Sequence, residues 1–413
     1  MTFNTQHPEI SPQLLLRIQN KLIIWFCYFY ARWNNERFVS QKILFFPALR
    51  SHQSLNYRKL LVEDHQKLLN TPASLVLEPK CGLSFSFYSY EISTIEYAYN
   101  TIKLFNGSPL AETKTFQDVW YLPQYRCFYQ QDGSRIDYSC QPEYKIAPEK
   151  ISIPNNFRTV NQKFIYGGHL FRHYGHFITE CICRLWYAAK EPNYPIIYSE
   201  SPRFSIKRDY IDIFMNTIGF DKERFVAFNK PIFLKEVIIP YPSFMMNYHA
   251  YTVHRLLPEA VAQAILKEQP KKIAQPLYLS RKKLNKQNSF RSILNEDKLE
   301  DKLREKNFKI VYPEQLTLAE QIQLINQHET IVGVSGSALH TILFDLLDNH
   351  LVCLSDTDYI HPNLLLVDAV KSKNSSYIAA VEVEQDFSKE RIKRARILDI
   401  EKTIYSLKTI GLL

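Results

Sequence analysis

Residues 308–355 read FKIVYPEQLTLAEQIQLINQHETIVGVSGSALHTILFDLLDNHLVCLS. Three short apolar runs, 308–312 (FKIVY), 330–334 (TIVGV) and 350–355 (HLVCLS), alternate with two stretches whose apolar residues recur at helical spacing, 317–328 and 337–347. Strand and helix alternating at this spacing cannot close as hairpins, so they specify parallel strands joined by crossover helices. Just upstream, LYLS (277–280) adds a strand and NEDKLEDKLREK (295–306) a helix. From about residue 256 the chain is therefore predicted to be an α/β domain with a parallel sheet.

Moving outward, AVAQAILKE reads as a helix with Pro258 in its first turn and Pro270 as its stop. Earlier still, KFIYGG (163–168) reads as a strand with a turn, HLFRHYGHFITECICRLWYAAK (169–190) as one long helix, PIIYS (195–199) and KEVIIP (235–240) as strands, and 207–218 as a helix. The first 150 residues carry no strong helical period; 74–79 and 96–104 resemble strands, and the region is assigned mixed structure. A last helix is predicted at 398–409.

Composition bounds the class. The 413 residues are 46% hydrophobic and 23% charged, which excludes a disordered chain and a disulfide-stapled miniprotein. Length alone suggests about two to three domains. The net charge of +9 suits phosphate-bearing ligands or an anionic membrane face and falls short of a nucleic-acid binder. The seven cysteines include no CxxC pair, so neither a zinc ribbon nor a disulfide framework is indicated. Reduced thiols in a cytosolic compartment are expected. Rings make up 14% of the chain, and one ten-residue run, LIIWFCYFYA (22–31), lies between Lys21 and Arg32. It is too short to span a bilayer, which needs about 20 apolar residues, and it lacks the marks of a signal peptide. A core helix and an aromatic helix lying in a membrane interface both remain open.

Two motifs carry chemistry. On the helix 169–190, His173, His176, Glu180 and Arg184 recur at i, i+3, i+7 and i+11 and fall on one side. Imidazole and carboxylate four residues apart, with a guanidinium one turn on, can make an oriented base for deprotonating a hydroxyl. The plain alternative is a solvated face with an ordinary Glu180–Arg184 pair. A metal site is a third reading, but HxxxE lacks the HExxH pattern and needs a distant ligand.

The second motif is the turn Ser335-Gly336-Ser337-Ala338 between strand and helix, an arrangement that aims backbone N–H groups at an anion. As a dinucleotide fingerprint it is degraded, because Ser335 stands at the middle glycine; Asp356 and Asp358 follow where a ribose ligand would sit. Arg281, Arg291 and Asn295 fall at loop ends of the same unit, where open parallel sheets bind ligands.

These pieces occur in a familiar order. YGHFITECICRLW resembles the "YYHF…E…RL" helix of glycosyltransferase family 61. The blocks LYLSRKK, FRSILNEDKL and 308–344 resemble that family's C-terminal core, with Arg281, Arg291, Asn295, Glu296, Gln321, Gly333, Gly336 and Leu339 in place. The resemblance covers about residues 163–346. The chain departs from it where many relatives carry histidine at the Ser335 position and asparagine at the Thr341 position.

The resemblance implies a GT-B-like fold of two Rossmann-like domains facing a cleft: residues 1–255 on the acceptor side, with 1–60 as an added helical or interfacial segment, and 256–390 binding the nucleotide-sugar. The helix of 391–413 would pack back on the N-terminal domain. It also implies inverting transfer to a glycan or glycolipid hydroxyl in capsule or lipopolysaccharide assembly. No obligatory metal or other cofactor is expected. A cytoplasmic protein is expected, with peripheral attachment to the inner face of the cell membrane left open. Glu180 is preferred as base with His176 as its partner, over the reverse. Arg281, Arg291, Asn295 and the Ser335–Gly336–Ser337 turn would hold the diphosphate, with His173, Arg184, Glu314, Gln321 and His340 in support. Two other readings stay open: a nicotinamide-dependent oxidoreductase using 330–358, and a glycan- or membrane-surface-binding protein without turnover.

Overall fold

In the computed structural model the chain divides into two units, Met1–Thr71 and Pro72–Leu413. The described residues are 75–77, 85–88 and 103–105 and, from 112 onward, all except 141–146, 172, 190, 201–208, 248, 269, 286–291, 358–359, 372, 374 and 385–393; all belong to the second unit. The run 22–31, Arg291 and Asp358 lie outside them.

The alternation that opens at Leu277 builds a seven-stranded sheet, in the spatial order 75–77, 85–88, 376–379, 350–355, 330–334, 277–279, 309–311. Every pairing is parallel except that of the outermost strand Leu75–Leu77 with Phe85–Tyr88. Strand Thr330–Val334 is buried along its whole length, which explains its unbroken apolar sequence. Val332, Val334, Val352 and Leu354 face a core shared with Leu299 and Leu303 of helix Glu296–Glu305. Helix Leu318–Gln327 starts as expected: Thr317 and Glu320 form a reciprocal capping box.

A second seven-stranded sheet has the order 135–136, 127–129, 113–122, 232–240, 158–170, 196–200, 225–227. It is mixed: Ile232–Pro240 runs parallel to Arg158–Leu170 and antiparallel to Thr113–Leu122. Alternate residues of Thr113–Leu122 serve opposite faces, Val119 and Tyr121 in one core and Trp120 and Leu122 in another. A three-stranded and a two-stranded sheet complete the described residues, and the architecture is mixed α/β, the class expected.

Four expectations are corrected. Strands Leu75–Leu77 and Phe85–Tyr88, assigned to the N-terminal domain, lie in the sheet of the C-terminal half. The terminal helix Ile400–Thr409 does not turn back; Leu407 packs in the core around Val332 and Leu354, because its apolar face continues that surface. Segment 337–347 forms a 3₁₀ helix, Ser337–Phe344, in place of an α-helix. Finally, Cys127 and Cys140 form a disulfide, so the thiols are not all reduced; the reading had only linear spacing, whereas the turn after strand 135–136 brings their Cα atoms to 5.0 Å. Among the described residues no helix is long and apolar enough to cross a membrane.

Candidate active site

The helix expected at 169–190 is broken into Tyr174–His176 (α), Phe177–Cys181 (π), Ile182–Arg184 (3₁₀) and Leu185–Ala188 (α). Such a helix displaces carbonyls from their usual partners, and neighbouring groups take them up. His254 Nε2 reaches the Ile178 carbonyl at 2.9 Å, and Ser243 donates its amide and hydroxyl to the Cys183 carbonyl at 2.7 and 2.9 Å. Burial pushes the His254 pKa down to about 4, so its imidazole works as a neutral structural bracket.

At the start of the π turn His176 Nδ1 is hydrogen-bonded to Glu180 Oε2. The exposure of the two is unequal: the Glu180 side chain is 8% accessible, that of His176 33%. The carboxylate therefore sits behind the ring and fixes Nδ1, leaving Nε2 as the nitrogen not held by Glu180. His173, exposed at the helix start, places its ring 5.0 Å from that of His176, and Phe171 flanks the other at 5.3 Å.

The second arm of the site lies at the carboxyl ends of the parallel strands. After strand Leu277–Leu279 comes Arg281, whose amide donates to Glu296 Oε1 at 2.8 Å while the same oxygen accepts from Tyr278 Oη at 3.0 Å. Burial pushes the Glu296 carboxyl up, and the bond from Arg281 opposes that shift. The Arg281 guanidinium donates from Nη1 to the Ser335 carbonyl at 2.8 Å. It lies against Gly336, where a Cβ would collide with Nη1, so this position needs glycine for the arginine to sit where it does. The amides of Gly336, Ser337 and Ala338 precede the first bond of the 3₁₀ helix, Leu339 N to Gly336 O at 3.0 Å, and have no acceptor among the described residues. A guanidinium and three N–H groups gathered at one turn are the kind of donor set that can hold an anion.

The two arms touch. A Cβ added to Gly175, next to His176, would stand 2.6 Å from Ser337 Oγ and 3.4 Å from His340 Nδ1. One residue earlier, Tyr174 Oη is 2.8 Å from Thr341 Oγ1. His340 is 7% exposed, and its pKa is pushed down to about 3, first by burial and then by nearby His361, His173 and His176. Imidazoles of both arms thus converge on one place, with His340 neutral.

Several expected site residues serve other purposes. Arg184 does not pair with Glu180, because the broken helix turns it inward. It is fully buried and donates to the carbonyls of Pro240, Tyr138 and Ser139, tying the helix to strand Ile232–Pro240 of the second sheet. Asn295 makes a two-way amide pairing with the Leu398 backbone at 2.7 and 2.9 Å, which engages its side chain with the tail strand. Gln321 Nε2 braces the 313–316 loop through the Pro313 and Leu316 carbonyls. Glu314, by contrast, lies at the end of strand Lys309–Val311 within electrostatic reach of Arg281 and Lys283. Asp356, the expected ribose ligand of the oxidoreductase reading, is fully buried and accepts from Ser335 Oγ at 2.6 Å. Among the described residues no group of His, Cys, Asp and Glu is arranged to hold a metal ion.

Sequence reasoning missed Gly175, Glu296 as the anchor of Arg281, and His254. The glycine inside a helical pattern was the available signal for the first; the other two contacts span 15 and 76 residues. A cavity of about 500 Å³ at the opposite ends of the strands is lined by Arg255, Glu259, Asp345, Lys371 and Lys373. Its buried lysines are already paired, Lys371 with Glu259 and Lys373 with Asp345.

No curated protein matches the chain. A family model described as Glycosyltransferase 61 matches residues 174–354. Those bounds begin at the tyrosine that touches Thr341 and enclose His176, Glu180, Arg281 and the Ser335–Ala338 turn, so the match takes in both arms of the site. The chain carries a glycosyltransferase family 61 domain over residues 174–354.

Proposed function

We propose that the protein is an inverting, metal-independent glycosyltransferase that moves a sugar from a nucleotide-sugar to a glycan hydroxyl, with its two sheets as the halves of a GT-B-like fold. The observation that carries this reading is the contact of Gly175 with Ser337, which sets a buttressed imidazole beside an anion-binding turn.

Inverting displacement needs a base for the acceptor hydroxyl and charge to stabilise the departing diphosphate. In this scheme His176 Nε2 is the base and Glu180 the carboxylate that orients it, the reverse of the order preferred from sequence; the unequal exposure of the dyad supports that order. The acceptor oxygen attacks the anomeric carbon as its proton passes to Nε2, and the bond from that carbon to the diphosphate breaks. Arg281 and the amides of Gly336, Ser337 and Ala338 take up the charge left on the diphosphate. Glu314, at a strand end beside Arg281, is placed for a ribose hydroxyl.

Calorimetry with uridine, guanosine and cytidine diphosphates, together with release of nucleoside diphosphate from the matching nucleotide-sugars, tests the scheme. Arg281→Ala weakens nucleotide binding. His176→Ala leaves binding intact and lowers turnover by about 10²-fold or more, the usual worth of a general base; Glu180→Gln lowers it less, and EDTA has no effect. Absence of binding to all three nucleotides refutes the reading. Normal turnover in His176→Ala returns the proton to Glu180.

A further inference from the structure

Ser335 has every polar group engaged. Its amide donates to the Leu354 carbonyl at 2.8 Å, its carbonyl accepts from Arg281 at 2.8 Å, and its hydroxyl donates to Asp356 Oδ1 at 2.6 Å. Asp356 Oδ2 in turn lies 3.8 Å from Arg396 Nε, and both residues are almost wholly inaccessible, at 0% and 1%. Arg396 opens the tail strand Arg396–Leu398, beyond the span of the family match.

The backbone of that strand reaches the other side of the phosphate grip. Arg396 N donates to the Ser292 carbonyl and Leu294 N to the Arg396 carbonyl, each at 2.9 Å. With the Asn295–Leu398 pairing, these bonds seat the segment that leads to Glu296, the residue that holds the Arg281 amide. A single tail strand therefore braces both components of the anion site, the turn through its side chain and the arginine through its backbone. Burying an ion pair carries a desolvation cost that an apolar pair would avoid, yet here the charges lie under the residue that leads into the Gly336–Ala338 amides.

We propose that Arg396, acting through Asp356 and Ser335, is a positioning residue that sets affinity for the diphosphate of the donor without touching it. The inference rests on the donor site proposed above. The test uses the full chain. Affinities for uridine, guanosine and cytidine diphosphates are measured by calorimetry and those for the corresponding nucleosides by saturation-transfer NMR, with thermal melting as the control for folding.

Ser335→Ala and Arg396→Lys are each expected to weaken diphosphate affinity about tenfold and to leave nucleoside affinity within twofold. The double variant should be no weaker than the poorer single, because both lie on one path. Ser335→Thr, which keeps the hydroxyl, should restore binding. Equal losses for nucleoside and diphosphate, additive losses, or unchanged affinity in folded Ser335→Ala overturn the brace. Should Arg396→Lys fail to fold, the Ala and Thr variants of Ser335 decide alone. A wild-type chain that binds none of the three nucleotides removes the donor site and the brace together, whereas binding that is equal in wild type and variants removes only the brace.

Discussion

Adding one methyl group at Gly175 should uncouple stability from turnover. The new Cβ would lie 2.6 Å from Ser337 Oγ and 3.1 Å from Ser337 Cβ, against about 3.4 Å at ordinary contact, a shortfall of roughly 0.8 Å. Overpacking of this kind costs about 1–3 kcal/mol. Replacing a helical glycine by alanine returns about 1 kcal/mol, so net stability changes by roughly 0–2 kcal/mol and the melting temperature by a few degrees. Geometry has no such compensation, because the methyl group wedges the His176 arm away from the turn. A misplacement near 1 Å costs about 10²-fold in rate, so Gly175→Ala should lower donor turnover by about 10- to 100-fold. The second substitution Ser337→Gly removes both close atoms while keeping the backbone amide, and turnover in the double variant should recover most of the loss. Melting curves and nucleoside diphosphate release measure the two quantities separately. Wild-type turnover in Gly175→Ala, or a deficit that Ser337→Gly does not relieve, refutes the claim that this contact aligns the two arms.

Two further outcomes concern stability. Asp368 is fully buried, accepts from Tyr377 Oη, and has its pKa raised from 3.8 to about 7, chiefly by desolvation. The native state thus keeps a proton that the unfolded chain releases, so the contribution is complete below about pH 4 and is lost as pH rises to 7. A shift of about three units amounts to about 4 kcal/mol at most, and Asp368→Asn should flatten urea-denaturation midpoints between pH 4.5 and 7.5; an unchanged slope contradicts the assignment. The Cys127–Cys140 bridge spans a separation of 13 residues, for which loop-closure entropy gives about 3 kcal/mol. Cys140→Ser, or reduction of the native protein, should lower the melting temperature by several degrees, and equal melting with and without reductant would show that the bridge does not contribute.

Much of the C-terminal half was legible because its information is local. Strands 277–279, 309–311, 330–334 and 350–355 and helices 296–305 and 318–327 fall where period and capping residues put them. The helix of His176 was found but misdrawn as regular. Its π and 3₁₀ turns depend on His254 and Ser243, whose bonds to it span 60 to 76 residues and have no sequence period to announce them. Arg184 illustrates the same limit: at i,i+4 from Glu180 it looked like a surface partner, and only the packing of strand 232–240 and turn 137–139 shows why it points inward.

By itself the sequence determined the α/β class, the order of elements after residue 256 and the two motifs of the candidate site, since each of these follows from spacing within a few turns of chain, and the order of those motifs pointed to the family of the domain. Tertiary structure alone decided which imidazole is exposed and which carboxylate stands behind it, that Asn295 and Asp356 are braces, that Cys127 meets Cys140, and that Gly175 rests on Ser337. These depend on contacts between segments far apart in the chain, and their cost or benefit is set by burial and by distances of a few ångströms, quantities that exist only once both sheets are packed.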